Sequence, residues 1–319
     1  MKTAKNNSKI GHMLINEHFM NDMKRIMRQD IIGKGYPEDA IDMEHVIYQF
    51  CVLYKRLIHN RPRIIYHSNV FRRPTDANLA AGLEALEAKI RSGEDINPHL
   101  SRTSKKIEYK DGMLFDWNIY HFHLGLEMES DNYSSRTGDV LYAYVTENAV
   151  YCLTIAPHGQ WEDKELLEII VRNWKKLLSK YEIDGEIETI SDSKADIKAF
   201  RAGNINSMIK LSNGKTYVSM GGGFMTNGYS TSAMMSHGYM IRFVQMLKQV
   251  AYKETYRFFE SLFGKWLEIP HGVIFPYVYQ FILRRTSEER IGVVQVKEDR
   301  SEKLIYEHQF PSLKKVIYG

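Results

Sequence analysis

The sequence predicts an α+β fold in three segments. These are a mainly helical region over 1–110, a small antiparallel sheet with helices over 111–184, and an α+β region over 185–319 with hairpins and a helical bundle. Three observations carry this. Apolar residues recur at helical spacing before residue 110. Between 113 and 160 the pattern turns into short runs rich in aromatic and β-branched residues. After 185 both patterns return, around an Asn213-Gly214 turn and a glycine-rich stretch. With 319 residues, 44% of them apolar and 26% charged, the chain is expected to form two or three units sharing a sizeable core and is too apolar for general disorder.

Taken in order, Pro37-Glu38-Asp39 opens a helix, with Ile47, Phe50, Tyr54 and Leu57 on one face. Arg61-Pro62-Arg63 ends it, and Ile64-Ile65-Tyr66 reads as a short strand. A second helix starts at Asp76 as N-cap, aligns Leu79, Leu83, Leu86 and Ile90, and stops at Gly93. Phe115, Trp117 and Ile119, continuing through Tyr120 to Leu126, suggest a strand. Val140–Val145 and Ala149–Ile155, joined by Thr146-Glu147-Asn148, read as a hairpin. Leu166, Ile169, Ile170, Trp174, Leu177 and Leu178 then form the clearest amphipathic helix. Ser207–Leu211 and Lys215–Val218 flank Asn213-Gly214 as another hairpin. Helices fill 231–284 after Ser230-Thr231-Ser232, and Ile291–Val296 with Leu304–Tyr306 close the chain as a final hairpin.

Cys51 and Cys152 both lie in apolar runs, which suits buried thiols in a reducing compartment better than a disulfide framework. No secretory leader is visible. The longest apolar stretch, Gly272–Leu283, contains Pro276 and is shorter than the roughly 20 residues of a membrane span, so the expected location is cytoplasmic, away from membranes. The net charge of +4 conceals a split. Residues 1–110 carry 19 Lys and Arg against 13 Asp and Glu, 111–190 carry 6 against 15, and 191–319 carry 18 against 11. An acidic centre between basic flanks suits mutually attracting segments, or a nucleic-acid grip made by the flanks.

On a strand, His121 and His123 share a face, and Gly125, Glu127 and Glu129 continue the same parity. Three readings are open. The face is a solvated polar surface. Alternatively, His121 and His123 ligate a metal with Glu127 or His158 completing the set, for a hydrolase or dioxygenase. Or the imidazoles act without metal or cofactor on a phosphodiester, His121 and His123 as base and acid, His158 as second acid or positioning group, and Arg136 as phosphate clamp.

The run Arg136-Thr137-Gly138-Asp139 into Val140–Val145, its tight turn, and Ala149–Ile155 leading to Ala156-Pro157-His158-Gly159 resembles the RelE/ParE toxin fold over about 70 residues. The resemblance implies a small twisted RelE-like sheet backed by helices and, in ribonuclease members, cleavage of messenger RNA. It points to a toxin-like or phage-defence-associated bacterial endoribonuclease, with RNA or the ribosome and an antitoxin-like or defence-complex protein as partners. A non-catalytic binding or assembly protein of a mobile element or defence system is the alternative from another class.

A second constellation is Gly221-Gly222-Gly223 before a helix, with Ser230 at its start and Arg201 upstream. A glycine-rich turn of this kind presents backbone N–H groups to an anion, and equally permits tight packing. The expected anion-binding residues are Gly221, Gly222, Gly223, Ser230 and Arg201.

Overall fold

A computed structural model of the chain describes residues 15–184, 193–263, 279–287, 289–296 and 300–309. These fold as two compact units, one built from residues 51–235 and the other from residues up to Phe50 together with those from Ser236 onward. The fold is α+β, with seven α-helices and three small sheets among the described residues.

Ile15–Glu17 is the first strand (β1), and the 51–235 unit holds a four-stranded sheet in the order β2-β5-β4-β3, from Ile64–His67 (β2), Ile119–His123 (β3), Asp139–Val145 (β4) and Ala149–Pro157 (β5). The β3–β4 and β4–β5 pairs are antiparallel, and β2 joins parallel to β5. The β4–β5 pairing slips between Tyr142 and Ala143. Ala143 faces Cys152 but Tyr142 faces Thr154, so Leu153 is an extra, bulged residue on β5. Ser68 secures the bulge by donating its hydroxyl to the Leu153 carbonyl at 2.6 Å.

The helix over Ala77–Ser92 forms as its caps dictate. Asp76 accepts the Leu79 N–H, and Gly93 ends it in the left-handed region at φ 84°. It lies so close to the sheet that a Cβ on Gly82 would sit 1.7 Å from the Leu124 carbonyl oxygen. The predicted strand through Phe115 and Trp117 is corrected: Gly112–Trp117 is a helix, opened by the Asp111 side chain on the Leu114 N–H and closed by Asn118 at φ 58°. Residues Met113 to Trp117 are all buried, so the run shows neither period. Strand β3 stops at His123, leaving Glu127 and Glu129 exposed beyond its end.

The helix over Glu165–Trp174 packs Leu166, Leu167 and Ile170 against Ile119, Val140 and Tyr142 of the sheet. It gives way to a 3-10 turn at Lys175–Leu177, short of the predicted continuation to Leu178. The expected Asn213-Gly214 hairpin forms between Ile209–Lys210 and Thr216–Tyr217, with Gly214 at φ 77°, and Glu182–Ile183 adds a third strand.

In the other unit, Phe19–Gly33 buries Phe19, Met23, Met27 and Ile31. Asp22 of this helix accepts the Leu283 N–H at 3.0 Å. Pro37-Glu38-Asp39 leads only into a 3-10 turn, Glu38–Ala40, and the helix carrying Ile47 and Phe50 starts afresh at Val46. The helix predicted after Ser230 runs over Thr231–Phe263. Of its predicted continuation, 264–278 lies outside the described residues, and Tyr279–Ser287 is a strand. Phe281 and Leu283 are buried while Gln280 and Arg284 are exposed, a period of two. That strand pairs with Arg290–Val296, which pairs with Glu302–Gln309 as the expected closing hairpin. No helix among the described residues is long and apolar enough to cross a membrane. Cys51 and Cys152 are both buried free thiols.

Candidate metal centre

Opposed residues of antiparallel strands project to the same face. His121 lies opposite Tyr142, which lies opposite Thr154; His123 lies opposite Val140, which lies opposite Ala156. One rung further, the His158 N–H donates to the Gly138 carbonyl at 2.8 Å. His158 therefore joins the face of His121 and His123 at the end of the sheet. Glycine at 138 puts no side chain between them.

The three rings converge. Their centroids are 6.1 Å apart for His121 and His123, 5.4 Å for His121 and His158, and 5.3 Å for His123 and His158. One nitrogen from each lies within 4.8 Å of the others. His121 and His123 are buried and His158 is exposed, so the cluster opens to solvent on the His158 side. Trp161 forms a wall, its ring 4.6 Å from both His121 and His158.

The Nε2 atoms of His121 and His123 are buried with no hydrogen-bond partner. Burial, then His123, His158 and Arg136, push the His121 pKa down to about 3. Burial, then His158 and Arg136, push His123 down to about 4. His158 is lowered by burial and by Arg136. All three rings are consequently neutral near pH 7, the state in which imidazole ligates metals.

Around the cluster, His99 donates from Nδ1 to the His123 carbonyl at 2.9 Å, anchoring the end of β3. The Thr137 N–H donates to His123 Nδ1 at 3.3 Å. That bond leaves the proton of the neutral ring on Nε2, so ligation through Nε2 requires the proton to move to Nδ1. The lost bond is worth about 1 kcal/mol. Structural zinc binding releases about 10–16 kcal/mol, so coordination wins.

Arg136, at the head of the same loop, is exposed. Thus His121, His123, Arg136 and His158 come together, whereas Glu127 does not join them. Glu129 is taken by Arg102 at 2.6 Å. Thr137, His99 and Trp161 are not among the site residues the sequence predicts; Thr137 and Trp161 lie close to Arg136 and His158 in the chain, whereas His99, 22 positions before His121, carries no such signal.

The glycine-rich turn does not form the expected anion cradle. Gly221 donates to the Asp116 carbonyl at 2.7 Å, Gly223 to the Phe115 carbonyl at 2.8 Å, and Gly222 to Ser219 at 3.0 Å. The first two bonds satisfy the carbonyls left open at the end of the 112–117 helix. A Cβ on Gly221 would meet the Leu114 and Phe115 carbonyl oxygens at 2.3 Å, so the glycine serves close packing. Ser230 is fully buried, within 3.1 Å of the Ser232 hydroxyl. Arg201 is bound to Asp116 at 3.0 Å, lies over the Trp117 ring and donates to the Trp161 carbonyl. It holds the segment bearing the Trp161 wall in place.

Set against known protein families, curated proteins and solved structures, the chain matches none. Function is read from the chemistry of the site.

Proposed function

We propose that the chain is a metal-dependent hydrolase whose ion is held by His121, His123 and His158, with a water in the open position. The observation that carries this reading is the convergence of three imidazole nitrogens within 4.8 Å. Ligands on a tetrahedral zinc with Zn–N of about 2.1 Å are about 3.4 Å apart, so modest ring rotations close the set. Three neutral ligands leave the full charge of the ion to act on its water, whose pKa falls from 15.7 to about 7 in such sites.

The metal-free alternative assigns His121 and His123 as base and acid. It needs an imidazolium to protonate the leaving oxygen, and burial, then the neighbouring imidazoles and Arg136, disfavour that proton on both rings. Neutral imidazole is a poor acid, so this observation favours the metal reading.

Equilibrium dialysis against Zn(II) and Co(II), with elemental analysis of untagged protein, tests the proposal. The expected result is about one equivalent bound, falling below about a tenth in His121→Ala and in His158→Ala, with the melting temperature of the unmutated protein rising on loading. A folded protein that takes up no metal at micromolar concentration refutes it. A toxin-like or defence setting with RNA as substrate is proposed from the Arg136-led hairpin. Cleavage of cellular RNA by the loaded protein, lost in His121→Ala, is its readout.

A further inference from the structure

The loop that precedes β4 is tied to two of the three histidines. In the metal-free site the Thr137 N–H reaches His123 Nδ1. The Gly138 carbonyl accepts the His158 N–H and the Thr137 hydroxyl accepts the Leu124 N–H at 3.2 Å, two bonds that ligation through Nε2 leaves in place. Arg136 is the residue just before Thr137 and Gly138, so its backbone is fixed at the rim of the cluster. Its side chain is exposed, and among the described residues no carboxylate pairs with it. The neighbouring Arg102 contrasts with it, being engaged by both Glu129 and Asp131. Among the described residues beside the cluster, Arg102 is a committed cation and Arg136 is not.

The charge balance of the site is one-sided. Imidazole ligates a metal as the neutral ring, and the cluster of converging groups among the described residues is His121, His123 and His158 with no carboxylate in it. A divalent ion with the Arg136 guanidinium would give the open side about three positive charges in a partly desolvated cleft. A carboxylate supplies one negative charge against that, whereas a phosphate ester supplies up to two and can place one oxygen on the metal and others on a guanidinium fork. We infer that Arg136 is the substrate-recognising residue of this site and that the substrate class is a phosphate ester, with a non-bridging oxygen on Arg136 and another toward the ion. This deepens the metal reading and rests on it for the second contact.

Titration calorimetry with inorganic phosphate, and with acetate as the second arm, tests it on zinc-loaded and metal-free protein. Metal content is measured on every sample. The expected result is phosphate binding that weakens roughly 10- to 100-fold in Arg136→Ala, is partly restored in Arg136→Lys, and exceeds acetate binding, while zinc content stays at the unmutated level. Unchanged phosphate affinity in Arg136→Ala overturns the inference, as does acetate binding as tightly as phosphate, or no phosphate binding to either form. A protein that lacks zinc but still loses phosphate binding in Arg136→Ala removes the metal reading and leaves the assignment of Arg136 standing.

Discussion

Gly82 sits inside the 77–92 helix, where helix propensity alone favours alanine over glycine by about 1 kcal/mol. Packing reverses that sign. A Cβ at 82 would lie 1.7 Å from the Leu124 carbonyl oxygen and 2.7 Å from its carbonyl carbon. Carbon meets a carbonyl oxygen comfortably at about 3.3 Å, so Gly82→Ala must push the helix and the end of β3 apart by roughly 1.6 Å. Both partners are backbone, so no side-chain rotation relieves the contact, and Leu83, Leu86 and Ile90 withdraw from their packing together. Overpacking of this kind costs about 1–3 kcal/mol and sometimes more, which leaves a net loss of about 2 kcal/mol at the upper end. For a unit of this size that lowers the melting temperature by about 4–8 °C. Since His123 directly precedes Leu124, zinc affinity is expected to fall as well. Thermal unfolding followed by circular dichroism, with zinc dialysis on the folded variant, reads both effects. A variant that melts at or above the unmutated temperature and binds zinc normally would refute the packing argument.

Lys55 is fully buried, donates to Asn118 Oδ1 at 3.1 Å, and has its pKa pulled down by burial to about 7. The unfolded chain keeps that lysine protonated up to about pH 10.4, so between pH 7 and 10 the unfolded state binds more protons and stability rises with pH, by at most about 1.4 kcal/mol per unit. Urea midpoints taken across that range are expected to climb, with the slope reduced in Lys55→Met; an identical slope in the variant would assign the effect elsewhere. Ser68→Ala removes the hydroxyl that holds the bulged Leu153 carbonyl. The expected cost is about 1–3 kcal/mol, with weaker zinc binding because the bulge sets where His158 lands. Full retention of zinc affinity at a lowered melting temperature would separate the bulge from the site.

Much of this architecture is legible in the amino-acid sequence because it is local. Asp76 and Gly93 bound their helix by capping chemistry, Asn213-Gly214 dictates a turn, and the strand period alone puts His121 and His123 on one face. What is not legible depends on contacts between distant segments. Counting back from the hairpin turn, where Val145 faces Val150, an unbroken register would set Pro157 opposite Gly138 and turn His158 to the opposite face. The extra Leu153 shifts the count by one and brings His158 to the other two histidines, and nothing in a β-rich apolar run announces where a bulge falls. The role of the glycine-rich stretch is illegible for a related reason. Its N–H groups are consumed by carbonyls about a hundred positions earlier, at Phe115 and Asp116, and that pairing leaves no trace in local composition.

The order of the strands has a consequence for how the protein is made. His121, His123 and His158 come from a single meander, β3 to β4 to β5, whose members follow one another in the chain and pair with their immediate neighbours. Closing such a structure costs little chain entropy, since loop closure grows only with the logarithm of loop length and neighbouring strands keep their contacts short in sequence. The ligand set is therefore able to assemble before the segment beyond residue 235 has been synthesised, and an ion captured at that moment would act as a clasp on the nascent sheet.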